Sequence, residues 1–253
     1  MTIRDFYEKL SELYPTSLSS SWDNDGLMCC PDSNREVKRV LVCLDATMEA
    51  LEFAKEGGFD TVLTHHPLIF KGLKALNDGV VVGRRVLAAM RAGISVISLH
   101  TRLDAGEGGV NDTLAHLLAL SDVTVFGDDD DPTLGRVGST DLSDPRDFAK
   151  RIKEATGAPF VSSYICRPIS RVAVVGGGGG DLMGDARRAG ADTLVTGESG
   201  YNKSLDAGED GMNIFIAGHY YTEAPVCNIL KKLAEDIAGA YSEIFEKAPD
   251  ICF

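Results

Sequence analysis

One stretch of this chain occurs twice. Arg39-Val-Leu-Val-Cys opens the first copy and Arg171-Val-Ala-Val-Val the second, and in each the next apolar run ends at a threonine, Thr64 or Thr196, twenty-five positions on. The approach to that threonine is also shared: Glu56-Gly-Gly-Phe-Asp-Thr-Val-Leu-Thr in the first copy, Arg188-Ala-Gly-Ala-Asp-Thr-Leu-Val-Thr in the second. Each copy then runs to a further apolar segment, 94–99 or 213–217. Beyond it stands a histidine with a carboxylate four residues later, His100 with Asp104 and His219 with Glu223. Self-similarity at a long period is the mark of internal duplication.

Short β-branched runs alternating with helical patterns predict an α/β fold with a mainly parallel sheet, whose ligands gather beyond the carboxyl ends of the strands. The expected organisation is two duplicated βα-type halves, 1–120 and 170–253, with a smaller bridging segment at 121–169. Within the first half, helices are predicted for an opening segment capped by Thr2 and ended by Pro15, for 48–57, for 80–92 and for 110–120. Strands are predicted for 40–44, 61–64 and 94–99. In the bridging segment a helix is expected over 145–155 and extended chain over 159–165. The aspartate run 128–131 reads as a solvated loop, because a block of like charge repels itself outward.

The chain has 25 basic and 38 acidic residues, a net charge of -13, which speaks against nucleic acid as a partner. Hydrophobic residues make up 44%, the soluble globular range, and no apolar run approaches the roughly 18 to 20 residues that span a bilayer. The first thirteen residues mix charges at helical spacing and lack the apolar centre of a secretory signal, so a cytoplasmic location without a membrane partner is expected. Cysteines at 29, 30, 43, 166, 227 and 252 form no Cys-x-x-Cys pair and read as thiols in a reducing compartment.

The chain has five histidines, and four of them, His65, His66, His100 and His219, fall at predicted strand ends. His116 alone lies elsewhere and is assigned to a helix surface. Imidazole and carboxylate suit two divalent cations such as zinc, iron, manganese or nickel, and the absence of thiolates in these motifs argues against a purely structural zinc site. His65, His66, Asp104, His219 and Glu223 are the predicted metal ligands. In a regular strand His65 and His66 would point to opposite sides; past the strand end, stiffened by Pro67, they can diverge toward two metals. A carboxylate of Asp104 or Glu223 can bridge them. Five protein ligands leave open positions, the mark of a catalytic rather than a structural site. The expected chemistry is hydrolysis of an anionic or carbonyl-bearing small molecule; the alternative is a metal-carrying or regulatory protein without turnover.

At these residues the sequence resembles the NIF-three-like dinuclear-metal proteins, the GTP cyclohydrolase type 2 homologues. The resemblance runs through Ser21-Trp-Asp-Asn-Asp-Gly-Leu, Leu63-Thr-His-His-Pro-Leu, the motif from His100 to Asp112, Leu134-Gly-Arg-Val-Gly, Ala191-Asp-Thr-Leu-Val-Thr-Gly-Glu and Gly218-His-Tyr-Tyr-Thr-Glu. It implies that His65 and His66 bind different cations, that Asp104 and His219 complete the separate shells, and that Glu223 bridges. His100 would then lie behind the ligands or face substrate. The resemblance also implies a toroidal homohexamer and a nucleotide or related heterocycle as substrate, with GTP suggested. Departures stand at Asn202, where the family usually has a histidine, and at Arg102 and Asp25, where a smaller amide and an aliphatic residue are expected.

Three features stay open between two readings. Trp22-Asp-Asn-Asp-Gly packs the sole tryptophan in a turn or touches substrate. The glycine run 176–180 is a tight turn or an anion cradle. Glu198, the counterpart of His66 in the second copy, is a cavity-facing acid or a solvated residue.

Overall fold

The structure, a computed structural model, describes residues 1–249; Cys252 lies outside them. In chain order the elements are α1 (Ile3–Leu13), β1 (Gly26–Cys29), β2 (Arg39–Cys43), α2 (Met48–Glu56), β3 (Thr61–Thr64), α3 (Val81–Ala92), β4 (Ser95–Ser98), α4 (Thr101–Ala105) and α5 (Val110–Leu117). There follow β5 (Ser121–Phe126), β6 (Gly135–Ser139), α6 (Pro145–Thr156), β7 (Ser162–Tyr164), β8 (Arg171–Val175), α7 (Met183–Arg188), β9 (Thr193–Thr196) and α8 (Tyr201–Glu209). The last are β10 (Asn213–Ile216), α9 (His219–Glu223), α10 (Val226–Ala238) and β11 (Tyr241–Ile244). The fold is α/β, as the alternation predicts. Among the described residues no helix is long and apolar enough to cross a membrane.

The chain groups into two compact units, Met1–Leu103 with Val226–Lys247, and Asp104–Pro225. The first carries a five-stranded sheet of order β1-β4-β3-β2-β11. Its parallel centre pairs Val40 with Thr61 and Thr61 with Ser95, while β1 runs antiparallel on β4. Leu41, Cys43, Val62 and Val96 pack with Ala50, Leu51 and Ala54 of α2 and Val86 and Ala89 of α3. Strands buried along their whole length read as continuous apolar runs, which is why 40–44 is legible without alternation. α1 begins in a reciprocal capping box: Thr2 accepts from the Asp5 amide while Asp5 accepts from the Thr2 amide.

The second unit carries a six-stranded sheet of order β5-β6-β8-β9-β10-β7. Its centre repeats the first: Val172 pairs with Thr193 and Val175 with Thr196, as Val40 pairs with Thr61 and Cys43 with Thr64. The duplication extends to side chains. Asp60 accepts from the Lys38 and Arg39 amides and Asp192 from the Ser170 and Arg171 amides, each with its following threonine hydroxyl donating at 2.8 Å.

Two boundaries differ from the expected 1–120, 121–169 and 170–253. The chain's last helix and strand return to the first sheet, where Tyr241 pairs with Arg39, so 226–247 does not complete the second half. The segment 121–169 does not stand apart either, since β5, β6 and β7 pair antiparallel at the flanks of the second sheet. α5 belongs to that unit too, with Leu114 and Leu118 packed against Phe148, Val172 and Phe215. Burial decided both cases: α10 is apolar at Val226, Cys227, Leu230 and Ala234, and that stripe needs a sheet to cover.

Candidate metal-binding residues

Each unit gathers three of the residues singled out at strand ends. In the first, His65, His66 and His100 each offer a ring nitrogen within 4.8 Å of the others. His65 and His66 follow β3, and the backbone turn is held by the Thr64 hydroxyl, which donates to the His66 carbonyl at 2.7 Å. His65 is fully buried and its Nδ1 lies 3.0 Å from the Leu99 carbonyl. A carbonyl only accepts, so Nδ1 carries the proton and Nε2 presents the lone pair. His66 places Nδ1 2.9 Å from Asp45 Oδ1, and His100 places Nδ1 2.8 Å from Asp23 Oδ1.

In the second unit, Asp104 and Glu223 offer carboxylate oxygens within 4.8 Å of one another, and His219 Nε2 lies 3.0 Å from Glu223 Oε2. Glu223 is buried and Asp104 half-buried. His219 places Nδ1 3.3 Å from Glu198 Oε1. His65, His66 and His100 thus commit Nδ1 to a carbonyl or carboxylate, which favours the Nδ1–H tautomer and turns Nε2 outward, the support that metal-ligating imidazoles need, whereas His219 meets a carboxylate at each ring nitrogen, Glu198 at Nδ1 and Glu223 at Nε2. Imidazole and carboxylate donors without thiolate are of the kind that suit a first-row divalent cation, and the His65, His66 and His100 group of the first unit could hold a metal ion.

The Asp104 turn is held from below. Asn111, fully buried, donates to the Asp104 carbonyl at 3.3 Å and the Leu134 carbonyl at 2.7 Å and accepts from the Gly176 amide at 2.8 Å. Arg136, also buried, ion-pairs Asp112 and donates to the Ala105 carbonyl at 2.9 Å. The Asn111-Asp112 and Arg136 stretches therefore build the platform under Asp104.

The glycine run is a tight turn: the Gly176, Gly177, Gly179 and Gly180 amides donate to Asn111, Thr222, Thr196 and the Glu198 carbonyl, which takes them from any anion. Gly177 has φ +60, and a Cβ there would lie 2.1 Å from Glu223 Oε1, so the turn leaves room for the carboxylate. Glu198 is exposed but bonded to His219, so it positions a candidate ligand. Trp22 is not packed away; it is 59% exposed. Asn202 is exposed on α8 and His116 is exposed on α5, as expected for a surface histidine. In the aspartate run, Asp128 accepts from the Asp130 and Asp131 amides, a self-capped turn.

The sequence reading missed the role of the 23–25 segment. Asp23 accepts from the Thr101 hydroxyl and amide as well as from His100. Burial alone would push its carboxyl up, but the His100 and Thr101 hydrogen bonds and the His100 charge outweigh this and hold it at about 2. The two departures, Asp25 and Arg102, explain each other. Arg102 is fully buried and grips Asp25 with two hydrogen bonds of 2.8 and 2.6 Å, and Asp25 also accepts from the His100 amide at 3.2 Å and the Ser19 hydroxyl at 3.1 Å. Such pairs, 77 positions apart, have no local signal.

With that geometry in hand the chain can be compared with known proteins. The family model described as Duf34/NIF3 (NGG1p interacting factor 3) matches residues 1–247, and the chain belongs to this family. It is 31% identical over 243 residues to a Clostridium perfringens protein named GTP cyclohydrolase 1 type 2 homolog, covering 94% of this chain and 91% of that one. It is 32% identical over 238 residues to the Lactococcus lactis protein of the same name, covering 92% and 91%. Among solved structures, a Staphylococcus aureus hypothetical protein superposes with a TM-score of 0.87 at 27% identity, covering 97% of this chain and 96% of that one. A Bacillus cereus protein related to NIF3 shares the fold, with a TM-score of 0.89 at 19% identity over 100% and 99% of the two chains.

Proposed function

We propose that the chain is a metal-dependent hydrolase that holds two divalent cations and acts on a nucleotide or related heterocycle, GTP being the first candidate. In this reading His65 and His66 would serve different cations, Asp104 and His219 would complete the two shells, and Glu223 would be shared between them. The observation that carries it is the use of Nδ1 by His65 and His66 on the Leu99 carbonyl and on Asp45, which turns Nε2 of each toward a ligand role just past β3. When bound, the cations supply charge that polarises a carbonyl or phosphoryl oxygen and acidifies water. The chain's own residues then position and protect: Asp45 and Glu198 orient the rings of His66 and His219, and Asn111 fixes the Asp104 turn. His100, held by Asp23, is the side chain able to hold or pass a proton beside the ligands. The names of the relatives point to GTP, whose guanine ring would be opened by one water to an N-formyl amine and deformylated by a second water to release formate. A homohexamer belongs to the same reading and would be seen as the mass in analytical ultracentrifugation.

The test combines content and turnover. Glu223→Gln is expected to strip or greatly weaken both cations, and His100→Asn to leave metal content near that of the wild type, as read by elemental analysis. Metal-loaded wild type is expected to release formate from GTP with loss of the purine absorbance. Full metal occupancy with no product from GTP removes that substrate and favours the metal-carrying or regulatory alternative.

A further inference from the structure

Two large aromatic side chains in the first unit lie open to solvent beside the histidines. Trp22 is 59% exposed and Phe70 46% exposed. With His100 they form a three-ring corner: ring centroids stand 6.0 Å apart for Trp22 and Phe70, 6.1 Å for Trp22 and His100, and 6.1 Å for Phe70 and His100. The interplanar angles are 64°, 80° and 85°, so the rings meet edge to face rather than stacking on one another. Edge-to-face contact cannot cover both faces of a ring, and the exposure says how much aromatic surface is left over.

These rings are exposed yet held. Asp23, next to Trp22, is fastened to His100 and Thr101. Asn24 donates to the carbonyl of Ile69, the neighbour of Phe70, and so ties the two loops together. A rigid, solvent-facing aromatic corner is a preorganised surface, which lowers the ordering cost of binding a flat ligand against it. Phe70 also opens an exposed loop that carries Lys71 and Lys74, cations in a chain of net charge -13.

We propose that Trp22 and Phe70, with the His100 ring, form the subsite that takes the planar heteroaromatic base of a nucleotide, the base stacking on the open aromatic faces and the Lys71 and Lys74 loop favouring its anionic end. The subsite rests on the reading of the chain as acting on a nucleotide or heterocycle, and it names the part of the molecule that would recognise the ring. Stacking of a base on an aromatic side chain is tolerant of sequence and needs only a π face, which every purine has.

Trp22 is the chain's sole tryptophan, so its emission reports on this corner alone. The metal-loaded full chain is titrated with GTP, guanosine and inorganic triphosphate, excited at the red edge of the tryptophan band where guanine does not absorb, with affinity measured in parallel by equilibrium dialysis. GTP and guanosine are expected to change the emission and triphosphate to leave it unchanged. Trp22→Ala and Phe70→Ala are each expected to weaken guanosine about ten-fold while metal content stays at the wild-type level, and Trp22→Phe to retain most of the affinity. Guanosine affinity within about two-fold of wild type in both alanine variants overturns the subsite, as does bound GTP that leaves Trp22 emission unmoved. A changed oligomeric mass in Trp22→Ala with unchanged guanosine affinity also overturns it, in favour of a contact between copies of the chain. Formate release from GTP without any Trp22 response sinks the subsite and spares the hydrolase reading. Guanosine-dependent emission without product does the reverse, and absence of binding by GTP and guanosine alike removes both.

Discussion

The two copies begin as near replicas and end in different chemistry. Asp60 and Asp192 hold the same pair of amides at the start of β3 and β9, and the strands keep one register. Past the strand end the first copy has His65 and His66 and the second has Gly197 and Glu198. Gly197 is enforced by crowding: a Cβ there would lie 2.6 Å from Thr222 Oγ1 and 2.7 Å from both the Gly177 carbonyl oxygen and the His219 Cα. The second copy therefore gives up an imidazole to bring its glycine turn and α9 close together, and there it presents Glu223 and His219. One scaffold, used twice, supplies mostly nitrogen donors in one unit and mostly oxygen donors in the other.

The helices that follow show a second difference. Thr64 pairs with Ser98 and Thr196 with Ile216, and from those positions Thr101 and His219 are equivalent first residues of α4 and α9. His100 with Asp104 and His219 with Glu223 share a spacing, but they sit one position apart in register. A shift of one residue turns a side chain by about 100° around a helix. Equal spacing in the sequence therefore did not mean equal placement, and His100 ends against Asp23 while His219 ends against Glu198.

The largest expected effect of breaking this asymmetry is at the ion pair confined to the first copy. Asp25→Ala leaves the Arg102 guanidinium buried without its carboxylate and should cost about 3 to 5 kcal/mol in urea unfolding, with much of the loss regained in the double variant Asp25→Ala, Arg102→Leu. In the second copy, Gly197→Ala should cost about 1 to 3 kcal/mol, because backbone and the base of His219 must give way; the equivalent unfolding curve checks it. Asp45→Ala and Glu198→Ala release the Nδ1 anchors of His66 and His219. Each should lower metal affinity at least about ten-fold in competition with a chelator, and each should leave stability within about 0.5 kcal/mol, since both carboxylates are exposed.

The smallest effect is a pH window. The Asp23 carboxyl is depressed in the folded chain to about 2, so its contribution is complete above the unfolded value of about 4 and is lost as pH falls from there through 2. A carboxyl titration of Asp23 followed by NMR should show this value, and in His100→Asn it should move up because one hydrogen bond is gone.

Much of this fold was written in local pattern. The parallel centres, the capping box at Thr2 and the helix from Pro145 follow from burial, capping oxygens and proline at the first helical turn. The candidate ligands were legible because histidine is scarce and four of the five fall just past strand ends. The supports were not. Asp23 and Asp25 act on residues 77 and 78 positions away, Asn111 on a glycine 65 away, and β11 pairs with a strand at the other end of the chain. Nothing in a run of neighbours encodes those meetings; they follow from closing the sheets.

The central claim is tested most directly by diffraction from metal-loaded crystals at energies on either side of the metal edge. Two anomalous peaks per chain are predicted, one about 2.0 to 2.2 Å from His65 Nε2 and the other at that distance from His66 Nε2, with Glu223 oxygen between them. Peaks at the Nδ1 atoms, a single peak, or a metal-replete crystal with none at these histidines would contradict it.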